Sequence, residues 1–171
     1  MIKIKKATKA HTETLALLAR TTWAESHGQY IDDKNDLLTY LNKNFSTSRI
    51  EQGINNPKLL FYIVYVNDLP VGYAKLIVNA TNKYVKSQYN CQLERIFILN
   101  DFIPLKLGKQ LIDFVEEKAK SLQLDAMWLT VYIKNNRAIR FYEKNEFIHV
   151  GNVNFVVSGK AYDNIVFSKR L

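Results

Sequence analysis

The segment at residues 92–132 restricts the possible folds more than any other part of the chain. Residues 92–99 and 126–132 are rich in branched and aromatic side chains, which is typical of buried strands. Between them, apolar residues recur every three or four positions and predict a long amphipathic helix; they are Leu107, Leu111, Phe114, Val115, Ala119 and Leu122. A strand, a helix and a strand in this order make a right-handed crossover between parallel strands. We therefore expect one parallel strand pair.

The elements around this crossover predict a sheet that is otherwise mainly antiparallel. Strands are predicted at residues 2–4, 59–66, 71–78, 147–157 and 165–169, and helices at residues 15–23, 33–45, 49–54 and 135–144. A turn at residues 67–70 and another near Gly159 join strands into hairpins. With no linker or repeat, the pattern indicates one mixed α/β domain over residues 1–171, with helices flanking a central sheet.

Local residue types suggest where the early helices begin and end. Thr8 or Thr12 is suited to cap the first helix, and Gly28 to end it. Ser48 and Glu51 have the spacing of a capping box for the third helix.

Composition narrows the functional class. The chain has 171 residues with 24 Lys or Arg and 16 Asp or Glu, giving a net charge of +8. Cys91 is the only cysteine, so an intramolecular disulfide or a cysteine zinc site is excluded. The longest apolar run, residues 59–66, is too short for a membrane helix, and we expect a cytoplasmic protein. The basic charge is scattered, which suits solvated surface, a phosphorylated cofactor or nucleic acid.

The junction between the strand at residues 92–99 and the following helix has features of a phosphate site. A helix start presents backbone N–H groups without intrahelical partners and the positive end of the helix dipole. Lys106 and Lys109 add cationic side chains, and Gly108 permits close approach. A plain strand-to-helix connection remains the alternative.

Two further groups of polar residues are candidates for chemistry. Asn135 and Asn136 are suited to cap the helix at residues 135–144, and Tyr142 lies on the same helical face as Asn135, as a core aromatic or a proton donor. Carboxylates are frequent early in the chain, and one interrupts an apolar strand; they are Glu25, Asp32, Asp33, Asp36 and Glu94. They could serve a site, cap helices, or pair with nearby cations.

These residues together resemble the GCN5-related N-acetyltransferase (GNAT) superfamily. Residues 93–122 resemble its acetyl-CoA segment, and residues 131–147 resemble its next block, Val-x-x-x-Asn-x-x-Ala-x-x-Phe-Tyr-Glu-Lys-x-x-Phe. Thr22-Trp23 with Gly28 and Tyr30, residues 71–76, and residues 93–96 are similar to the Pai-type spermidine/spermine N-acetyltransferase branch. The resemblance implies the GNAT fold, with two parallel strands that splay apart inside a mostly antiparallel twisted sheet.

The sequence departs from the family pattern in two places. The usual phosphate loop, Gln/Arg-x-x-Gly-x-Gly/Ala, is here Ile103-Pro104-Leu105-Lys106-Leu107-Gly108, with Lys106 at the first glycine. Because such a loop binds phosphate mainly through backbone N–H groups, the change is tolerable if the turn is preserved. The glycine usual before Phe147 is Glu146.

The resemblance also implies residue roles. Acetyl-CoA, the acetyl donor, would be held by Ile96, Phe97, Ile98, Ile103, Pro104, Leu105, Lys106, Leu107, Gly108, Lys109, Asn135 and Lys144. Glu94 is the candidate base, through water, and Tyr142 would protonate the departing thiolate. Glu25, Asp32, Asp33 and Asp36 would line the amine side. His27, His149 and Cys91 are expected to be structural.

The leading hypothesis is direct acetyl transfer to a small amine, polyamines first, by a monomer or homodimer without metal. Protein N-termini or lysines are the alternative acceptors. A non-catalytic CoA-binding regulator and a nucleic-acid-binding protein are the alternatives outside enzymes. We expect a small-molecule amine as the partner, and neither nucleic acid nor membrane.

Overall fold

The computed structural model describes every residue from Met1 to Leu171 and contains seven strands and five α-helices. In chain order they are β1 (Ile2–Lys6), α1 (Thr12–His27), α2 (Lys34–Phe45), α3 (Thr47–Asn55), β2 (Leu59–Val66), β3 (Leu69–Val78), β4 (Asn90–Ile98), α4 (Leu107–Ser121), β5 (Ala126–Tyr132), α5 (Asn136–Lys144), β6 (Ile148–Val157) and β7 (Lys160–Arg170). Short 3-10 helices occupy Lys9–His11, Gly28–Tyr30 and Asn100–Leu105. No helix is long and apolar enough to cross a membrane.

The strands hydrogen-bond in the order β1-β2-β3-β4-β5-β7-β6. β4 and β5 are parallel, whereas β1 with β2, β5 with β7, and β6 with β7 are antiparallel. The parallel register runs from Asn90 opposite Ala126 to Gln92 opposite Trp128, although both strands continue further. This confirms the predicted mixed α/β fold with one parallel pair in a mostly antiparallel sheet.

The chain forms two compact units. The first consists of Met1–Leu76 and Arg95–Phe114, and the second of Ile77–Glu94 and Val115–Leu171. That residues 1–171 make a single domain stays a prediction.

The core of the first unit is formed by α1, α2 and α3 with strand residues. Trp23 stacks on Tyr40 with ring centroids 4.2 Å apart, and the Phe45 ring lies 6.2 Å from Trp23. The buried members of this core include Leu15, Leu18, Ala19, Leu41, Ile50, Phe61, Ile63 and Tyr73. Phe97 and Leu99 pack against it, so this core supports the end of β4.

The second unit is built on the long antiparallel pairing of β5, β7 and β6. Met127, Leu129, Val166 and Phe167 are buried along β5 and β7. Lys169 of β7 lies 2.8 Å from the Glu116 carboxylate of α4, and both side chains are largely buried. Charged groups removed from water must be paired, so this ion pair fixes the end of β7 against α4.

The predicted helix caps are displaced by a few residues. Ser46 caps α3, because its Oγ accepts the Arg49 N–H at 3.3 Å. The prediction of Ser48 and Glu51 is therefore wrong: extended backbone at Ser46 already begins the helix at Thr47. Thr8 caps the 3-10 helix Lys9–His11, and α1 begins directly after it.

The predicted ends of α1 and of the first hairpin are close to those observed. α1 ends at His27 with Gly28 as its C-cap, as predicted, although Gly28 has φ −55° and continues into a 3-10 turn instead of adopting a left-handed conformation. The β2–β3 hairpin turns at Asn67 and Asp68, with φ of 48° and 66°, rather than over four residues. Asn and Asp tolerate this conformation better than most residues, and it matches the twist of paired strands.

Substitution by alanine should have opposite effects on the free energy of unfolding at Gly72 and at Gly28. A Cβ at Gly72 would lie 2.4 Å from Ile98 Cδ1 and 2.6 Å from the Phe97 carbonyl oxygen, and the backbone atom cannot move aside cheaply. We expect Gly72→Ala to lower the free energy of unfolding by about 1–3 kcal/mol through overpacking. A Cβ at Gly28 would meet only Leu37, at 3.6 Å. Gly28→Ala should therefore raise the free energy by about 0.4–1 kcal/mol.

Urea unfolding of the two variants beside wild type measures both effects. Equal destabilisation by the two substitutions would contradict the predicted close approach at Gly72.

Candidate active site

The turn before α4 keeps its special backbone conformation without the usual glycine. Lys106 has φ 55° and ψ 28°, which is the left-handed region that glycine adopts most readily. Its N–H donates to the Ile103 carbonyl oxygen at 3.0 Å, and the Lys109 N–H donates to the Lys106 carbonyl oxygen at 3.2 Å. The altered loop therefore forms an ordered turn. This preserved turn is the condition under which we expected the loop to tolerate the loss of its first glycine.

The start of α4 has the donors that an anion needs. Leu107 and Gly108 lie in its first turn, where N–H groups have no carbonyl four residues back within the helix. The Lys109 ammonium is ion-paired with Asp113 one helical turn along, whereas Lys106 is exposed at the turn itself. Of the two predicted cations, Lys106 is the better placed to face a phosphate.

The end of β4 carries the three residues predicted to pair with acetyl-CoA. The side chains of Ile96, Phe97 and Ile98 are all half-buried. The Phe97 ring approaches the ring of His27 at 5.7 Å and that of Tyr73 at 6.0 Å. Because side chains alternate along a strand, Ile96 and Ile98 project from the opposite face of β4.

Tyr142 and Asn135 are placed by α5 in the second unit. Asn135 caps α5, because its Oδ1 accepts the Ala138 N–H at 3.1 Å. Tyr142 is buried, with its ring centroid 5.7 Å from that of Phe147 and 6.3 Å from that of Phe167. Burial raises the pKa of the Tyr142 phenol, so the hydroxyl keeps its proton at neutral pH. Lys144 is exposed in the last turn of α5.

Glu94 is half-buried in β4, next to the buried Leu93. Its place mid-strand is compatible with the predicted role as a base, which stays a prediction.

The four early carboxylates separate into two kinds. Glu25 accepts the backbone N–H of Asn100 at 3.0 Å, and Asp33 caps α2 by accepting the Asn35 N–H at 2.7 Å. Asp32 is exposed, and Asp36 is half-buried in the first turn of α2. Two of the four predicted substrate ligands thus accept hydrogen bonds from backbone N–H groups. Helix capping was one of the alternative roles considered for these carboxylates.

Two of the three residues expected to be structural, Cys91 and His27, lie in packed surroundings. Cys91 is buried, its Sγ lies 3.6 Å from the Ala126 carbonyl oxygen, and burial raises the pKa of the thiol to about 12. The His27 ring stacks on Trp23 at 4.8 Å, and burial lowers its pKa from 6.5 to about 4. The sequence analysis missed that His27 contacts Phe97 and that Glu25 binds Asn100.

Comparison with known proteins defines the class. Residues 19–147 match the model of the acetyltransferase (GNAT) family. Since the match covers most of the chain, the chain belongs to the GNAT family; it is an acyltransferase that uses acetyl-CoA and an amine acceptor.

Individual relatives agree with this assignment. An uncharacterized N-acetyltransferase in the pepI 3′ region of Lactobacillus delbrueckii subsp. lactis is 25% identical over 170 residues, covering 99% of this chain and 98% of the relative. The PaiA N-acetyltransferase of Thermoplasma acidophilum, solved with coenzyme A, has TM-score 0.77 and 20% identity, covering 100% of this chain and 99% of its own. The Escherichia coli ribosomal-protein-S18-alanine N-acetyltransferase has TM-score 0.70 and 14% identity, with coverages of 99% and 94%.

The buried His27 should make stability depend on pH. Its pKa is about 4 in the folded state and near 6.5 when unfolded, so the unfolded chain binds a proton first as pH falls. We expect the free energy of unfolding to decrease between pH 6.5 and 4, by up to about 3 kcal/mol from this group.

Replacing His27 by Phe removes this proton uptake, so the variant's stability should fall less steeply over the same pH range. Denaturant unfolding at several pH values measures the slope, and the exposed His149→Phe is the matched control. Parallel slopes for wild type and His27→Phe would contradict the prediction.

Proposed function

We propose that this enzyme transfers the acetyl group of acetyl-CoA to a primary amine of a polyamine such as spermidine or spermine. The observation that carries the acceptor class is the acidic character of residues 25–36, where Asp32 is exposed and Asp36 is partly exposed at the start of α2. The resemblance to the Pai-type branch and the fold similarity to a PaiA N-acetyltransferase support the same class.

A local acidic surface is needed because the whole protein has a net charge of +8. Such a protein repels a polycation at long range, and charge clustered on one surface can still concentrate it there. We assign the attraction to Asp32, which is exposed, and to Asp36, which is partly exposed in the first turn of α2.

The chain's own residues fit the donor. Acetyl-CoA supplies the acetyl group as a thioester. We assign its phosphates to the turn at residues 103–109, where Lys106 provides a cation and Leu107 and Gly108 provide N–H groups. The backbone of Ile96, Phe97 and Ile98 would pair with its extended arm, as a further strand would. Asn135 would orient it, and Lys144 would meet the adenosine phosphate.

The chemistry requires a proton to leave the amine before attack. An alkylammonium has a pKa near 10.4 and becomes a nucleophile only after deprotonation. We assign this step to Glu94 acting through a water molecule. The amine nitrogen then bonds to the thioester carbonyl carbon, the carbon–sulfur bond breaks, and the nitrogen releases its second proton to solvent. The Tyr142 hydroxyl donates to the departing sulfur, and the acetylated amine leaves without a covalent enzyme intermediate.

A protein acceptor is the second candidate. It is favoured by the fold similarity to an enzyme named for an alanine of ribosomal protein S18. Activity restricted to peptides in the experiments below would select it.

Tyr142→Phe should lower kcat and leave acetyl-CoA affinity near wild type. Removal of a positioned proton donor costs about 10²–10⁴-fold when chemistry limits turnover. The matched control is Tyr162→Phe, because Tyr162 is a second tyrosine that is 9% exposed in the same unit.

Steady-state kinetics with the best amine, together with CoA titration calorimetry, measure both quantities. An unchanged kcat in Tyr142→Phe would show that the Tyr142 hydroxyl does not assist the departing sulfur.

Spermidine should be preferred over butylamine, which has a single amino group, and its KM should rise with ionic strength because exposed charges are screened. Asp32→Asn and Asp36→Asn should raise the spermidine KM more than they lower kcat, since they remove binding that is uniform along the reaction. Glu117→Gln in α4, where Glu117 pairs with Lys120, is the control with the same charge change.

Measurement of kcat/KM at low and high salt for both amines tests the acceptor class. A flat salt response for spermidine would refute the polyamine proposal.

A further inference from the structure

Glu25 makes a hydrogen bond that joins two distant parts of the first unit. Its Oε2 accepts the backbone N–H of Asn100 at 3.0 Å, across 75 positions of sequence. Glu25 lies in the last turns of α1, and Asn100 is the first residue of the 3-10 helix that leads from β4 to Lys106. The Glu25 carboxylate therefore binds the backbone just after the end of β4.

The neighbouring backbone hydrogen bonds show what this contact fixes. The Leu99 N–H donates to the Val71 carbonyl oxygen at 2.9 Å, and the Phe102 N–H donates to the Leu99 carbonyl oxygen at 2.9 Å. The Asn100 N–H belongs to the start of a helix, where donors lack intrahelical partners. Glu25 provides the acceptor that a local capping residue would otherwise supply.

A second contact of α1 acts on the same segment. His27, two residues after Glu25, places its ring 5.7 Å from that of Phe97. The end of α1 thus contacts β4 at Phe97 and the following turn at Asn100. Both contacts lie next to the residues to which we assign acetyl-CoA.

We propose that Glu25 is a positioning residue for the acetyl-CoA turn and does not bind the amine. This inference rests on the proposed placement of acetyl-CoA at residues 103–109. Glu25 holds Asn100, the 3-10 helix Asn100–Leu105 ends at the left-handed Lys106, and the N–H groups of α4 follow directly. Loss of the contact would let the start of this helix move and would lower donor affinity.

The proposal and the sequence-based role of Glu25 make opposite predictions for one substitution. Glu25→Gln keeps an oxygen that accepts the Asn100 N–H but loses the negative charge. A positioning role therefore tolerates Gln, whereas attraction of a polycation does not. Glu25→Ala removes both the oxygen and the charge.

The experiment measures the KM of acetyl-CoA, the KM of spermidine and kcat for wild type, Glu25→Ala and Glu25→Gln. We expect Glu25→Ala to raise the acetyl-CoA KM by about three- to tenfold, as loss of one hydrogen bond would, with kcat and the spermidine KM near wild type. Glu25→Gln should restore the acetyl-CoA KM. Ser46→Ala, which removes a side-chain cap from α3 in the same unit, should leave the acetyl-CoA KM unchanged.

An unchanged acetyl-CoA KM in Glu25→Ala would overturn the proposal, as would a higher spermidine KM in Glu25→Gln. If Glu25→Ala does not fold, Glu25→Asp decides, because its shorter side chain keeps the charge and cannot reach Asn100 in the same way; the proposal requires it to raise the acetyl-CoA KM.

Calorimetric titration of the wild-type protein with CoA is done first and separates two failures. Absence of binding there refutes the placement of acetyl-CoA and the inference with it. Binding by wild type, with no change in Glu25→Ala, refutes the positioning role alone.

Discussion

The proposed donor site depends on the hydrogen bonds made by the backbone of the segment that connects β4 to α4. Every buried N–H or C=O group needs a partner, and the chain here leaves a strand, makes a short helix and starts another within ten residues. Leu99 bonds to β3, Asn100 to Glu25, and Lys106 to Ile103. At the start of α4 the Lys109 N–H donates to Lys106, and the N–H groups of Leu107 and Gly108, which have no acceptor four residues back within the helix, are the ones we assign to the ligand.

The strands were easier to predict from the sequence than the left-handed turn at Lys106, because burial leaves a pattern in the sequence and this turn does not. Residues 59–66 are recognisable because burial on both faces leaves an uninterrupted apolar run, and residues 126–132 are recognisable because only Thr130 interrupts theirs. The structure has β2 and β5 at these residues. The left-handed Lys106 could not be predicted, since lysine has no intrinsic preference for that conformation. It is stabilised by its surroundings, namely the 3-10 helix before it and α4 after it.

The carboxylates show a different limit of prediction. Asp33 caps α2 through a residue two positions away, so a local pattern could indicate it. The partner of Glu25 is 75 positions away, and only the folded chain brings them together. From composition alone, Glu25 and Asp32 are equivalent acids; in the structure both are exposed, and Glu25 accepts a backbone N–H from a distant part of the chain. A count of acidic residues therefore does not separate a carboxylate that positions the backbone from one that attracts a polycation.

Burial of Tyr142 also sets limits on how it acts on the leaving group. A thiol has a pKa near 8.5 and a phenol near 10, so proton transfer from tyrosine to thiolate is unfavourable even in water. Burial raises the pKa of Tyr142 further and makes complete transfer still less favourable. The same shift keeps the hydroxyl protonated at neutral pH, and a hydrogen bond to a charged sulfur is stronger than a neutral one. In our proposal the phenol therefore stabilises the developing thiolate by hydrogen-bond donation and does not become a phenolate, and the thiolate takes its proton from solvent.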